Sequence, residues 1–188
     1  DVTHVLNTHL HFDPSHNNCL FAGAKIVCAR KEYDWMTELC NRLTGEQMSL
    51  EGLYRYYPEL QMFQDDPKIV WSMVRMVQRF WSADRLGKRA QFEWLEDWPM
   101  PDGVRAIATP GHVPFHYSFV FNTAEGPVLV AGDAMITRSE ADQNVMTFPP
   151  THRVMYEETK KKLVEYGDVI VPGHDLRFCV KDTPPENG

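Results

Sequence analysis

The sequence predicts an α/β protein built in layers, and three observations carry that reading. Short apolar segments of strand length alternate along the chain with longer stretches of helical period, the pattern of strands covered by helices. The 188 residues, 43% hydrophobic and 24% charged, suffice for one globular domain with its own core. No internal repeat, low-complexity tract or linker-like composition interrupts the alternation.

Taken in order, residues 2–7 read as a short strand entering a polar, histidine-rich loop, and 24–29 (AKIVCA) as a second strand. Residues 32–43 carry Tyr33, Trp35, Met36, Leu39, Cys40 and Leu43 at amphipathic-helix spacing, with Gly45 just beyond as a stop. The tyrosine-rich stretch 53–63 fits neither template. Asp66-Pro67 is a helix start, because Asp caps open amides and Pro is pre-set for a first turn. The helix it opens has Ile69, Val70, Met73, Val74, Val77, Phe80 and Trp81 on one side, and its end is expected near Leu86 and Gly87.

Prolines and Gly103 make 98–103 a loop, after which 104–108 reads as a strand. Residues 117–123 and 128–131, joined by a turn at 124–127, read as a hairpin. A helix over 153–166 stops at Gly167, and 168–171 is a last buried strand.

Nineteen Lys and Arg against 26 Asp and Glu give a net charge of -7, which disfavours a protein that wraps nucleic acid by neutralising phosphates. Cys19, Cys28, Cys40 and Cys179 have neither CxxC spacing nor the density of a disulfide scaffold, so reduced thiols are expected. No apolar run approaches a membrane span and no signal-peptide pattern opens the chain, so a cytoplasmic protein without membrane association is expected.

The informative histidines stand where strands end. His9, His11 and Asp13 follow the first strand, His112 follows 104–108, Asp133 follows 128–131, and His174 follows 168–171. All are metal-ligand residue types, and strand ends are where α/β sheets build sites. Imidazoles with a carboxylate suit zinc, with iron or manganese as alternatives. His4, inside a strand, and His152, at a helix start, read as structural or exposed; His116 either packs beside the pocket or takes a direct part.

Four segments, THLHFD (8–13), TPGH (109–112), AGDA (131–134) and VPGHD (171–175), resemble the ordered metal motifs of the metallo-β-lactamase fold superfamily. The resemblance implies a two-sheet αββα sandwich with a metal site at its edge. It implies that His9, His11 and His112 hold one metal, Asp13 and His174 a second, and that Asp133 bridges them. Complete members carry further strands before the first motif, where this chain has only 2–7. Either an N-terminal portion is missing or something else completes the sheet, and an unpaired sheet edge invites a second copy or a separate N-terminal segment. The whole of 1–188 is then one such domain, N-terminally incomplete, with a helical insertion over about 32–98.

One position departs from the family pattern, because Pro14 stands where HxHxDH has its last histidine. Three readings stay open: His16 substitutes, the second site is weak, or one metal suffices. The segment 31–34 (KEYD), the GDA motif and the final PGHD are similar to lactonases and glyoxalase-II-like hydrolases.

The resemblance implies a metal-dependent hydrolase in which a metal-held hydroxide attacks an ester, lactone or thioester carbonyl of a small molecule, with Asp13 orienting or deprotonating the water. The alternatives are a non-catalytic metal-binding or redox-sensing domain and a phosphodiesterase or nuclease of the same superfamily. Aromatic residues between Tyr33 and Trp98 supply core, and part of them a roof over the site.

Overall fold

Strand pairing divides the chain at Trp98. The computed structural model describes residues 1–45, 49–80, 83–143 and 145–182, and these form two units, Asp1–Trp98 and Pro99–Gly188. Trp81 lies outside the described residues.

The first unit holds a three-stranded parallel sheet of β1 (His4–Leu6), β2 (Lys25–Cys28) and β3 (Phe92–Trp94), in that spatial order. Ile26, Val27 and Cys28 on the central strand are fully buried, as a parallel strand covered on both faces requires. After β1 comes the short helical turn α1 (Phe12–Ser15). Parallel pairing of β2 with β3 needs a long crossover. It is made by α2 (Arg30–Gly45), α3 (Leu50–Tyr56), a 3₁₀ segment at Pro58–Phe63, α4 (Pro67–Phe80) and α5 (Ala83–Leu86).

Helix α2 buries Met36, Leu39 and Cys40, spaced i, i+3, i+4, and α4 buries Val70 and Val74. Each such side chain contributes about 1.5–3 kcal/mol by leaving water. Asp66 caps α4 as expected, its carboxylate accepting from Lys68 N at 3.3 Å. α2 departs from the sequence reading at both ends, and Gly45, read as a stop beyond it, is its last residue. α2 starts earlier, at Arg30, because the Glu96 carboxylate accepts the Arg30 N–H at 3.1 and 3.2 Å and so supplies a cap. The helical stretch ends at Leu86, where the sequence reading puts it, whereas Phe92–Trp94, read as part of a helical insertion over about 32–98, form a strand against β2.

The second unit is a five-stranded sheet of β4 (Val104–Ala108), β5 (Tyr117–Thr123), β6 (Gly126–Gly132), β7 (Val169–Pro172) and β8 (Phe178–Cys179), in sequence order. Only β6 and β7 run parallel; the other neighbours are antiparallel. The hairpin turns at Gly126, whose φ of 115° excludes most side chains. Val120, Leu129, Ala131, Leu163 and Ile170 form a fully buried cluster on this sheet. Between β6 and β7 run α6 (Arg138–Asp142), which the sequence does not signal, and α7 (Arg153–Leu163). α7 closes three residues earlier than expected, through tight bonds from Glu165 N and Tyr166 N to the Lys162 and Leu163 carbonyls.

All four cysteines are free thiols, as expected, and burial pushes Cys28 and Cys40 well above the ordinary thiol range. No helix among the described residues is long and apolar enough to cross a membrane.

Candidate metal centre

Three candidate ligands lie in the first unit, on the loop leaving β1. Asn7 anchors that loop, its N–H donating to Val27 O at 2.9 Å and its side-chain oxygen accepting from Asn18 at 2.8 Å. His9 is fully buried, with Nδ1 3.1 Å from the Thr8 hydroxyl. One ring nitrogen of His9 and one of His11 lie within 4.8 Å of each other. Their rings meet edge to face at 80°, with centroids 4.8 Å apart.

Leu10, between them, donates its N–H to the buried Glu32 carboxylate on α2 at 3.1 Å. Burial raises the Glu32 carboxyl to about 8, against the lowering effect of that bond. His11 Nε2 sits 2.9 Å from the Tyr57 hydroxyl, and burial of the imidazole lowers it to about 4 against the opposing charge of Asp13. His11 is therefore neutral at physiological pH, the form a metal needs.

Asp13 and Pro14 occupy the second and third positions of α1, and both are exposed. Proline is tolerated there because the first N–H groups of a helical turn have no partner within it. His16, the candidate substitute, has Nε2 3.0 Å from Arg85 Nη1. A ring nitrogen that accepts a guanidinium N–H spends the lone pair that metal ligation requires.

The other three candidates lie in the second unit, and here a carboxylate gathers two imidazoles. Asp133 Oδ2 is 3.3 Å from His112 Nε2 and 3.4 Å from His174 Nε2. Asp133 and His112 are buried, and His174 is exposed. Parallel pairing of β6 and β7, with Gly132 opposite Pro172, brings Asp133 and His174 out at the same end of the sheet. His174 is stapled there by its N–H donating to Ile136 O at 2.8 Å, and Gly173 by its N–H donating to Met135 O at 3.0 Å.

A Cβ at Gly173 would meet Asp133 Oδ1, so any other residue there would push that carboxylate from its place. Gly111 is required more strictly, because its φ is 136° and a Cβ would strike the Tyr156 backbone on α7. Buried Glu140 pins the turn after Asp133, accepting from Ile136 N and Tyr156 OH, both at 2.7 Å, and from Thr147 N at 2.9 Å. Fully buried His116 belongs to a chain of short bonds. Thr109 Oγ1 is 2.8 Å from both His116 Nδ1 and Ser118 Oγ, and the Ser118 hydroxyl donates to Ala131 O at 3.0 Å.

His4 is paired loosely with Glu93 at 4.0 Å, and His152 caps α7 by accepting from Met155 N at 3.3 Å, the structural roles expected for both. Tyr57 and Glu140 were not singled out by sequence, and Glu32 entered only as part of the segment 31–34, with no role assigned. Tyr57 sat in the stretch that fitted no template, and nothing local marks the two glutamates as buried.

Histidines and carboxylates at the ends of strands in an α/β chain define a metal-binding class, and the donor set fits zinc: imidazole nitrogens with one buried anionic oxygen beside two of them. The chain belongs to the metallo-β-lactamase superfamily, whose family model, described as Metallo-beta-lactamase superfamily, matches residues 1–174. An N-acyl homoserine lactonase from a Bacillus species is 26% identical over 181 residues, covering 94% of this chain and 57% of the relative. Metallo-beta-lactamase domain-containing protein 1 of Xenopus laevis is 31% identical over 84 residues, 44% of this chain and 35% of the relative.

Among solved structures, a B. thuringiensis AiiA variant with N-decanoyl-L-homoserine bound at its active site matches 93% of this chain and 56% of its own, with TM-score 0.59 and 20% identity. AidC, a dizinc quorum-quenching lactonase in complex with a product, matches 93% and 58%, with TM-score 0.63 and 12% identity. The fold is thus of the metallo-β-lactamase type, and the chain spans a little over half the length of the lactonases it matches.

Proposed function

We propose that this chain is a metal-dependent hydrolase of small lactones, esters or thioesters that carry an apolar portion. The observation that carries the reading is the Asp133 oxygen within 3.4 Å of two imidazole nitrogens, in a chain whose relatives include N-acyl homoserine lactonases. In this reading His9, His11 and His112 hold one ion, Asp13 and His174 contribute to a second, and Asp133 serves both. Zinc held there would supply a water of pKa lowered toward about 7 and a Lewis acid for a carbonyl oxygen, with iron or manganese as alternatives.

The protein's own part is to position and to move a proton. Asp13, exposed in the first turn of α1, accepts the proton of the attacking water on a carboxylate oxygen and returns it to the leaving alkoxide or thiolate. Glu32 and Glu140 hold the backbone of the two ligand-bearing turns, so that the ligands need little reorganisation. Aromatic side chains of the segment before Trp98 suit the apolar part of a small ligand, and a net charge of -7 opposes a polyanion.

A non-catalytic metal-binding domain is the second reading, favoured by Pro14 and by the engagement of His16 with Arg85. Metal analysis of the purified chain, paired with a lactone, thioester and phosphodiester panel, separates the two. Acyl turnover that needs metal and vanishes in Asp133→Ala supports hydrolysis. Metal uptake without turnover supports the binding domain, and cleavage of single-stranded nucleic acid with no acyl turnover overturns both in favour of a nuclease.

A further inference from the structure

Tyr57 closes α3, and its ring stands 5.6 Å from that of Trp35 on α2 and 6.3 Å from that of His11, nearly parallel to the latter at 29°. A phenol hydroxyl both donates and accepts, so opposite a protonated imidazole nitrogen it serves as the acceptor.

We propose that Tyr57 is a positioning residue for metal binding: its hydroxyl oxygen, 2.9 Å from His11 Nε2, accepts a hydrogen bond from the N–H at that nitrogen and so presents Nδ1 as the atom that ligates. The inference rests on the reading of His11 as a ligand. A neutral imidazole has one protonated nitrogen and one lone pair, and the partner of the first decides which atom is the second. His9 has the opposite arrangement, with the Thr8 hydroxyl at Nδ1, so Nε2 is the atom it offers. The loop therefore presents two histidines through different nitrogens, each set by a hydroxyl. Thr8 is a chain neighbour, whereas Tyr57 is 46 residues away.

That distance gives the helical crossover a part in the metal site. A ligating histidine whose other nitrogen is held by a fixed partner binds metal more tightly, and losing such a partner typically costs about 10–100-fold in affinity. The phenol is held in turn by packing with Trp35, so the order of α3 and the affinity of the loop for metal are linked.

The test is zinc affinity of the full chain, measured by chelator competition, for the unmodified protein, Tyr57→Phe and Tyr56→Phe. Tyr56→Phe removes a neighbouring hydroxyl that bonds Glu38 at 3.0 Å, on the surface. Tyr57→Phe is expected to weaken zinc binding about 10–100-fold and Tyr56→Phe to leave it within about twofold. Equal affinity in Tyr57→Phe and the unmodified chain would overturn the proposal.

Should Tyr57→Phe fail to fold, long-range ¹H–¹⁵N correlation on the zinc-loaded unmodified chain decides. A proton on His11 Nε2 is expected, and a proton on Nδ1 overturns the proposal. A chain that binds zinc and hydrolyses nothing would refute the hydrolase reading alone, while a chain that takes up no zinc would overturn both.

Discussion

Glutamate 32 offers a measurable test of how the first candidate ligand loop is held. Its carboxyl is 1% exposed, receives one hydrogen bond from Leu10 N, and leaves Oε2 without a hydrogen-bond partner among the described residues. Burial raises it from the ordinary 4.5 to about 8. The folded chain therefore keeps a proton that the unfolded chain releases between those two values, and stability falls as pH rises through that interval.

At about 1.4 kcal/mol per pH unit, the loss reaches roughly 3 kcal/mol at pH 7 and roughly 5 kcal/mol above pH 8, with none below 4.5. Glu32→Gln keeps an oxygen for Leu10 and removes the titration. Its buried amide adds a pH-independent cost of about 1–3 kcal/mol, so the difference in slope is the quantity to read. All five tryptophans, Trp35, Trp71, Trp81, Trp94 and Trp98, precede Pro99 in the sequence, so tryptophan fluorescence during denaturant unfolding reads the part of the chain that holds Glu32. The stability of Glu32→Gln relative to the unmodified chain should climb from pH 5 to pH 8 and then level off. Parallel curves over that range would refute the reasoning.

Two further outcomes are expected. Gly173→Ala drives a methyl into Asp133 Oδ1 and should weaken zinc binding by about tenfold or more in chelator competition, a cost of about 1–3 kcal/mol in local repacking. Pro14→His restores an imidazole where the unmodified chain has none, and should raise tightly bound zinc from one equivalent toward two by elemental analysis; two tight equivalents in the unmodified chain would contradict this.

The candidate ligands were legible because their signals are local: a short apolar run followed by His or Asp is visible in a few residues, and four such motifs stand in a fixed order. The helices α2 and α4 were legible from their period, and α4 also from its Asp66-Pro67 start. β3 was not, since Phe92-Glu93-Trp94 is too short to assert itself and becomes a strand only by pairing with Ile26, Val27 and Cys28. The start of α2 was hidden because its cap, Glu96, lies 66 residues on. The engagement of His16 by Arg85 spans 69 residues, and so the sequence left its role open.

The buried bonds around Thr109 have a direction. Ala131 contributes a carbonyl, which only accepts, so the Ser118 proton is committed to it. Ser118 Oγ must then accept from Thr109, whose own oxygen is left to accept from His116 Nδ1. One backbone oxygen on β6 thereby dictates the tautomer of an imidazole three hydrogen bonds away. In its neutral form His116 carries the proton on Nδ1 and the lone pair on Nε2, and neither Thr109 nor Ser118 can turn its hydroxyl without breaking the order of the whole chain.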